Sequence, residues 1–296
     1  DFANIGTLLG NLMDSQGRAY IYMDMAGPLN FAYTGKGIGF GIYNQTTFSI
    51  NIGSVYYAQV SAREDILFMG GAAYRGDFGA GWWYSAGLAA KGLFRAEYYY
   101  ADTLLGLMTV LGTPDPFGSA MPFFMTTGVG FDAGLQAGLY DVLVFGIQCE
   151  DAFSTLFTSE YTNMGAFFTD PAAAKVTSSS TIPLPNLSAG LTAYPFLNFM
   201  EQRGLKMGVS VNYSNLIDLF LPVFRNPILF LSAGLELTIL ERLTISVGVR
   251  EALLACGVTL NLDNFKFSTA VFGKELGLEP GERSVYTIML GISLAG

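Results

Sequence analysis

The chain has 296 residues, 51% of them hydrophobic and only 13% charged, with a formal net charge of −9. An average soluble domain carries about 25% charged residues, so this composition is poorly suited to covering a water-exposed surface. The acidic balance leaves no basic patch for phosphates and excludes a nucleic-acid partner.

Membrane residence is the first expectation, in accord with a mean hydropathy of +0.40. A transmembrane helix needs about 20 consecutive, predominantly apolar residues. The two longest uncharged runs, 37–62 and 176–200, are interrupted by Asn44, Gln45, Thr46, Thr47 and Asn51 in the first and by Pro183, Pro185 and Pro195 in the second. The richest apolar stretch, 103–112, is about half the length needed to span. Backbone N–H and C=O groups in lipid must be paired within the protein, so the remaining solution is a closed β-barrel. Its strands should alternate apolar residues with small or polar ones.

Along the chain, residues 1–17 are partly amphipathic (Ile5, Leu8, Leu9, Leu12, Met13) and are expected to form a plug, a periplasmic tail or a weak first strand. No charged n-region and apolar h-region open the sequence, as expected once a signal peptide has been removed. Leu29, Phe31 and Tyr33 lead into Gly35-Lys36-Gly37, a hairpin turn, and Ile38, Phe40 and Ile42 follow with Gly39, Gly41 and Tyr43 behind them. Residues 85–99 set Lys91, Arg95 and Glu97 against Leu88, Phe94 and Tyr98. Residues 101–124 hold a helix-like run (Leu104, Leu105, Leu107, Met108, Leu111) and a Pro/Gly-rich loop, an expected excursion from the barrel. Val129, Phe131, Ala133, Leu135, Ala137 and Leu139 then oppose Gly130, Asp132, Gly134, Gln136 and Gly138. After a turn near Tyr140-Asp141, Leu143, Phe145, Ile147 and Cys149 form the next apolar face. Glu150-Asp151 reads as a loop edge, and 151–185 as a long irregular surface loop.

The alternation is clearest downstream. Leu187, Ala189 and Leu191 oppose Ser188, Gly190 and Thr192; Leu205, Met207, Val209, Val211 and Tyr213 oppose Lys206, Gly208, Ser210 and Asn212. Residues 215–224 read as a short helical turn at one rim. Segments 229–239, 242–250, 256–262 and 286–295 repeat the two-residue period, for about 12 to 14 strands in all. A soluble sandwich or lipocalin-like barrel would also alternate, but its outward face would carry Lys and Glu where these faces carry Gly, Ser, Thr and Asn. The expectation is an all-β, transmembrane, antiparallel up-and-down β-barrel over residues 18–296, with long loops near 101–124 and 151–185.

There is no histidine, so Ser-His-Asp and Cys-His hydrolytic sites are excluded, and the commonest zinc and haem ligand is missing. Cys149 and Cys256 have no metal-ligand spacing and are expected as two buried thiols on separate strands. No catalytic role, cofactor or metal is expected. Following the alternation, the lumen would be lined by Lys91, Arg95, Glu97, Asp132, Glu236, Arg242, Arg250 and Lys266, the outermost of them at the rims. Such mixed charges either pair to fill a closed lumen or line a passage and set its selectivity.

The tail carries a resemblance. Residues 250–254 (Arg-Glu-Ala-Leu-Leu), 263–267 (Asp-Asn-Phe-Lys-Phe) and 271–283, which end in the Glu-Leu-Gly…Pro-Gly-Glu-Arg loop, resemble the closing strands of outer-membrane barrels from spirochaetes and related bacteria. The Gly-Pro-Leu…Gly-Lys-Gly-Ile-Gly-Phe-Gly stretch at 27–41 is similar to their opening hairpin. Those proteins are loosely similar to the long-chain fatty-acid transporter family. The resemblance implies a barrel of about 14 strands with an N-terminal hatch and diffusion of hydrophobic compounds. No ligand-site motif of that family is matched, and the chain ends on Leu294-Ala295-Gly296 where such barrels usually end on an aromatic residue. The expected function is a passive outer-membrane channel or transporter for small solutes, hydrophobic ones among them. The alternative is a closed structural or surface-interaction barrel. Membrane lipid is the expected surrounding in both cases.

Overall fold

The computed structural model describes residues 13, 17–27, 30–140, 142–195, 203–219, 225–262 and 265–294. Fifteen strands occur among them: β1 (Ala19–Ala26), β2 (Phe31–Gly35), β3 (Ile38–Ser54), β4 (Tyr57–Gly79), β5 (Trp82–Asp102), β6 (Phe123–Leu139), β7 (Leu143–Tyr161), β8 (Lys175–Thr181), β9 (Asn186–Ala193), β10 (Leu205–Tyr213), β11 (Leu231–Ile239), β12 (Leu243–Arg250), β13 (Leu253–Leu262), β14 (Phe265–Glu275) and β15 (Ser284–Leu294). They belong to one sheet in the order β1-β3-β4-β5-β6-β7-β9-β10-β11-β12-β13-β14-β15, with β2 paired to β3 and β8 to β7. Strand follows strand in sequence order, so the fold is an antiparallel up-and-down β-barrel, as the alternation predicts. No helix among the described residues is long and apolar enough to cross a membrane.

Contacts divide the chain into two units, and β4 to β7 contribute to both. The first comprises Asp1–Ala72, Ala89–Phe131 and Phe153–Leu184. Its core lies where the helix Leu104–Leu111 covers the ends of β1, β3 and β4: Leu107 and Leu111 pack against Ala19, Ile52, Ala58, Val60 and Met121, and Met13 joins at the margin. The helix starts where it does because the Thr103 side chain accepts from Gly106 N–H at 3.1 Å. The N–H of Leu104 donates to Val55 C=O at 3.0 Å, which ties the first turn to the β3–β4 connection.

The second unit comprises Ala73–Leu88, Asp132–Ala152 and Pro185–Gly296. Its strands β9 to β15 have 8 to 11 residues each, close to the roughly 9–11 a tilted strand needs to cross a bilayer. Register puts like residues in rows. One face carries Val209↔Leu235↔Val247↔Cys256↔Val271↔Ile288, and its neighbour row Met207↔Leu237↔Ile245↔Val258↔Thr269↔Leu290. The opposite face carries Thr192↔Ser210↔Gly234↔Gly248↔Ala255. A one-residue slip anywhere would exchange the two faces, so register is fixed by the hydrophobic pattern. The apolar face is solvent-accessible: Leu254, Ile288, Leu290 and Ile292 are each about 70% exposed. Such a contiguous patch is foreign to a monomer surrounded by water.

Several segments differ from expectation. Residues 151–185 are not an irregular loop: β7 continues to Tyr161, short helices follow at Met164–Thr169 and Pro171–Ala174, and β8 pairs back onto β7. Pairing on both sides of 156–161 organises a stretch whose own alternation is weak. Glu150 and Asp151 accordingly lie within a strand, where Asp151 has φ +54° and its N–H donates to the Asp132 carboxylate at 2.8 Å. The 101–124 excursion does contain the anticipated helix, and the 3₁₀ turn Leu216–Leu219 occupies part of the expected rim turn. Residues 220–224, and the plug assignment for 1–17 apart from Met13 and Gly17, lie outside the described residues. Both cysteines are free, but neither is fully buried: Cys149 is half-buried, and Cys256 is exposed on the apolar face, which no core covers.

Candidate functional site

The small-residue face of the second unit borders a half-open cavity of about 620 Å³. Its floor is the row Gly146↔Gly190↔Asn212↔Ser232 across β7, β9, β10 and β11. Glycine at two of these positions removes the side chains that would fill the space. A Cβ on Gly190 would lie 2.0 Å from Asn212 Oδ1, because the carboxamide lies over that glycine. Gln136, Gln148, Ser188, Thr192, Ser85 and Ser214 add to the polar lining, and no charged residue contributes to it among the described residues. At the margin, Gln148 Nε2 donates to Glu150 at 3.1 Å, and Asn186 Nδ2 reaches the same carboxylate at 3.4 Å.

A second cavity of about 430 Å³ lies further along the same face. Glu236 and Arg250 both line it, with Ser246, Gly248 and Gly257. The structure thus brings two of the eight sequence-derived lumen residues to one cavity. Asp132 shares a face of β6 with Gln136 but is engaged by the Asp151 N–H. Lys266 faces Asn261 and Ser293 near the start of β14. Arg242 closes the tight turn after β11, donating its N–H to Ile239 C=O at 3.0 Å, and is exposed at a rim.

The other three candidates lie in the first unit, on one face of β5. Arg95 is bidentate on Asp65, with Nε at 2.6 Å and Nη2 at 3.0 Å, and Arg63 Nε lies 3.2 Å from the same carboxylate. Glu97 accepts from Ser61 Oγ at 3.0 Å, and Lys91 is half-buried two turns of the pleat away. The strand partners Arg63 and Asp65 escaped the sequence reading. Their signal is the series Gln59, Ser61, Arg63, Asp65 on alternate residues of β4, which is obscured because Glu64 falls on the opposite face. There Glu64 is held by the Asn44 amide and the Thr46 hydroxyl.

A third constellation, also missed, sits beyond the apolar band. On β15 that band runs from Ile292 to Tyr286 and is succeeded by Ser284, opposite Glu275. The Glu275 carboxylate is 1% exposed and accepts from the N–H groups of Gly277, Gly281 and Arg283 and from Ser284 Oγ, all at 2.6–2.9 Å. Burial alone would raise its pKa. The hydrogen bonds from Ser284, Gly277, Arg283 and Gly281 outweigh burial and hold the carboxyl below the ordinary glutamate value. Arg225 ties the knot to Glu251 at 2.9 Å and to Glu275 C=O at 2.8 Å. This cluster staples the loop 276–283, the segment that the family resemblance rests on most.

No protein family matches the chain, and no curated protein is significantly similar to it.

Proposed function

We propose that this β-barrel resides in a bacterial outer membrane and acts as a passive channel or transporter for small solutes, with no catalytic role. The observation that carries the reading is the opposition of faces in β9 to β15: a broad, exposed apolar surface on one side, and glycine, serine, threonine and asparagine around cavities on the other. Lipid accounts for the first face and an aqueous passage for the second. The similarity of segments 27–41 and 250–283 to spirochaete barrels, themselves loosely similar to fatty-acid transporters, agrees with this reading.

The test is liposome swelling with refolded protein and solutes of graded size, repeated on a variant lacking residues 1–17. Swelling that falls with solute size is the expected result, and an increase on deletion would make the N-terminal segment a plug. Refolded protein that inserts but gives neither swelling nor ion conductance overturns the channel.

A second reading, a closed barrel with a structural or surface-interaction role, is favoured by the Arg63–Asp65–Arg95 network. A bidentate, half-buried pair of this kind can serve as filling as well as lining. Conductance separates the two.

A further inference from the structure

The lining of the larger cavity in the second unit is uncharged, with polar groups set among apolar ones such as Leu135, Val144 and Ile147. Three carboxamides (Gln136, Gln148, Asn212) and the hydroxyls of Ser85 and Thr192 border it, and none of its lining residues is charged among those described. A carboxamide offers two N–H donors and a carbonyl acceptor, and a hydroxyl offers both roles. Several of the polar neighbours are already occupied: Ser188 Oγ donates to Asn186, Ser214 Oγ to Phe230 C=O, and Ser232 Oγ to Asn212 C=O. The side chains of Gln136, Thr192 and Asn212 have no hydrogen-bond partner among the described residues and so remain available.

We propose that this cavity is a subsite for neutral, hydroxyl-rich solutes of saccharide size within the passage; the inference rests on the channel reading above. An ion would lose hydration here and find no counter-charge in the lining. A hydrocarbon chain would strip water from carboxamides without replacing their hydrogen bonds, which is costly. A polyol meets both requirements, because each of its hydroxyls donates and accepts. The volume of about 620 Å³ falls within the roughly 300–1,000 Å³ of small-molecule sites. This narrows the solute class away from the hydrophobic compounds that the family resemblance implies.

Two substitutions probe the site. A Cβ on Gly146 would meet only ordinary contacts, 3.7 Å from Gln136 Cγ, so Gly146→Leu projects its bulk into the cavity without a backbone clash. Thr192→Val removes one hydroxyl at nearly constant shape. Swelling of proteoliposomes in glucose is compared with swelling in sodium gluconate, which has the same carbon skeleton and one charge, and glucose binding to the refolded protein is measured by titration calorimetry. The expected result is at least tenfold faster swelling in glucose, saturable glucose binding, and a loss of at least fivefold in both on Gly146→Leu, with a smaller loss on Thr192→Val. Equal rates for glucose and gluconate, or glucose binding unchanged in both variants, overturns the subsite while leaving the channel standing. If no solute swells the liposomes, the channel reading fails and with it the placement within a passage; saturable glucose binding abolished by Gly146→Leu then upholds a saccharide site without transport, and its absence in the parent protein sinks the site as well.

Discussion

Glu275 concentrates more hydrogen bonds than any other carboxylate described in the second unit, and its value follows from what surrounds it. Three backbone N–H groups and one hydroxyl converge on a charge that water barely reaches. Because its folded-state pKa lies below that of an unfolded glutamate, roughly 4.3, its contribution to stability is fully present above that value. It is lost as pH falls through the lower, folded value. Glu275→Gln keeps the shape but places an NH₂ among donors. It should cost about 1–3 kcal/mol at neutral pH and flatten the acid limb of the stability profile. Urea midpoints of both proteins between pH 3 and 7 check this; parallel profiles would mean that the loop is held by something else. The Glu241 carboxylate is also held low, by its hydrogen bond from Lys206 at 2.7 Å. That pair is exposed to water and contributes little to the fold.

At the scale of elements, the hairpin connections decide how tightly neighbouring strands are joined. Lys36-Gly37 has φ +50° and +80°, the two positive values a type I′ turn requires, with glycine at the second place. The β12–β13 turn makes the same demand of Glu251 and Ala252, at +51° and +62°, without a glycine. A left-handed residue bearing a Cβ costs about 1–2 kcal/mol, partly offset by the greater freedom of glycine in the unfolded chain. Ala252→Gly should therefore stabilise the protein by several tenths to about 1 kcal/mol. Glu251 itself is left alone because it holds Arg225 and the Glu275 N–H. A rise in urea midpoint at unchanged slope is the expected signature, and a fall would show that the turn is not the strained point. Strand length is the other variable. β3 to β7 have 17 to 23 residues, about 55–75 Å at roughly 3.3 Å per residue, well over the roughly 30 Å of hydrocarbon in a bilayer. The short strands β9 to β15 match that thickness, so parts of the long ones are free to build cores such as the one under Leu107.

For the molecule as a whole, the apolar surface has to meet lipid if the proposed location is right. Leu290 sits mid-band on β15, 72% exposed between Ile288 and Ile292. Leu290→Arg should then destabilise the inserted protein by about 2–4 kcal/mol, whereas Thr259→Arg, on the opposite face of β13, should cost far less. Unfolding in phospholipid vesicles measures both, and equal costs would place Leu290 away from the hydrocarbon. The sequence by itself determined the class and the two-faced character of the strands, because side chains alternate with a period of two whatever the neighbours are. It determined the helix after β5 and the Lys36-Gly37 hairpin too, since a cap, an apolar run and a turn residue act within a few positions. Only the tertiary structure decided that β4 is a strand of 23 residues carrying Arg63 and Asp65 to Arg95. It likewise revealed that 151–161 belongs to β7, that glycines on four strands line one cavity, and that Glu275 gathers a loop around itself. Each of these depends on pairing between segments distant in sequence, and pairing is set by which rows of side chains can be buried or hydrogen-bonded together, a property that no single segment carries.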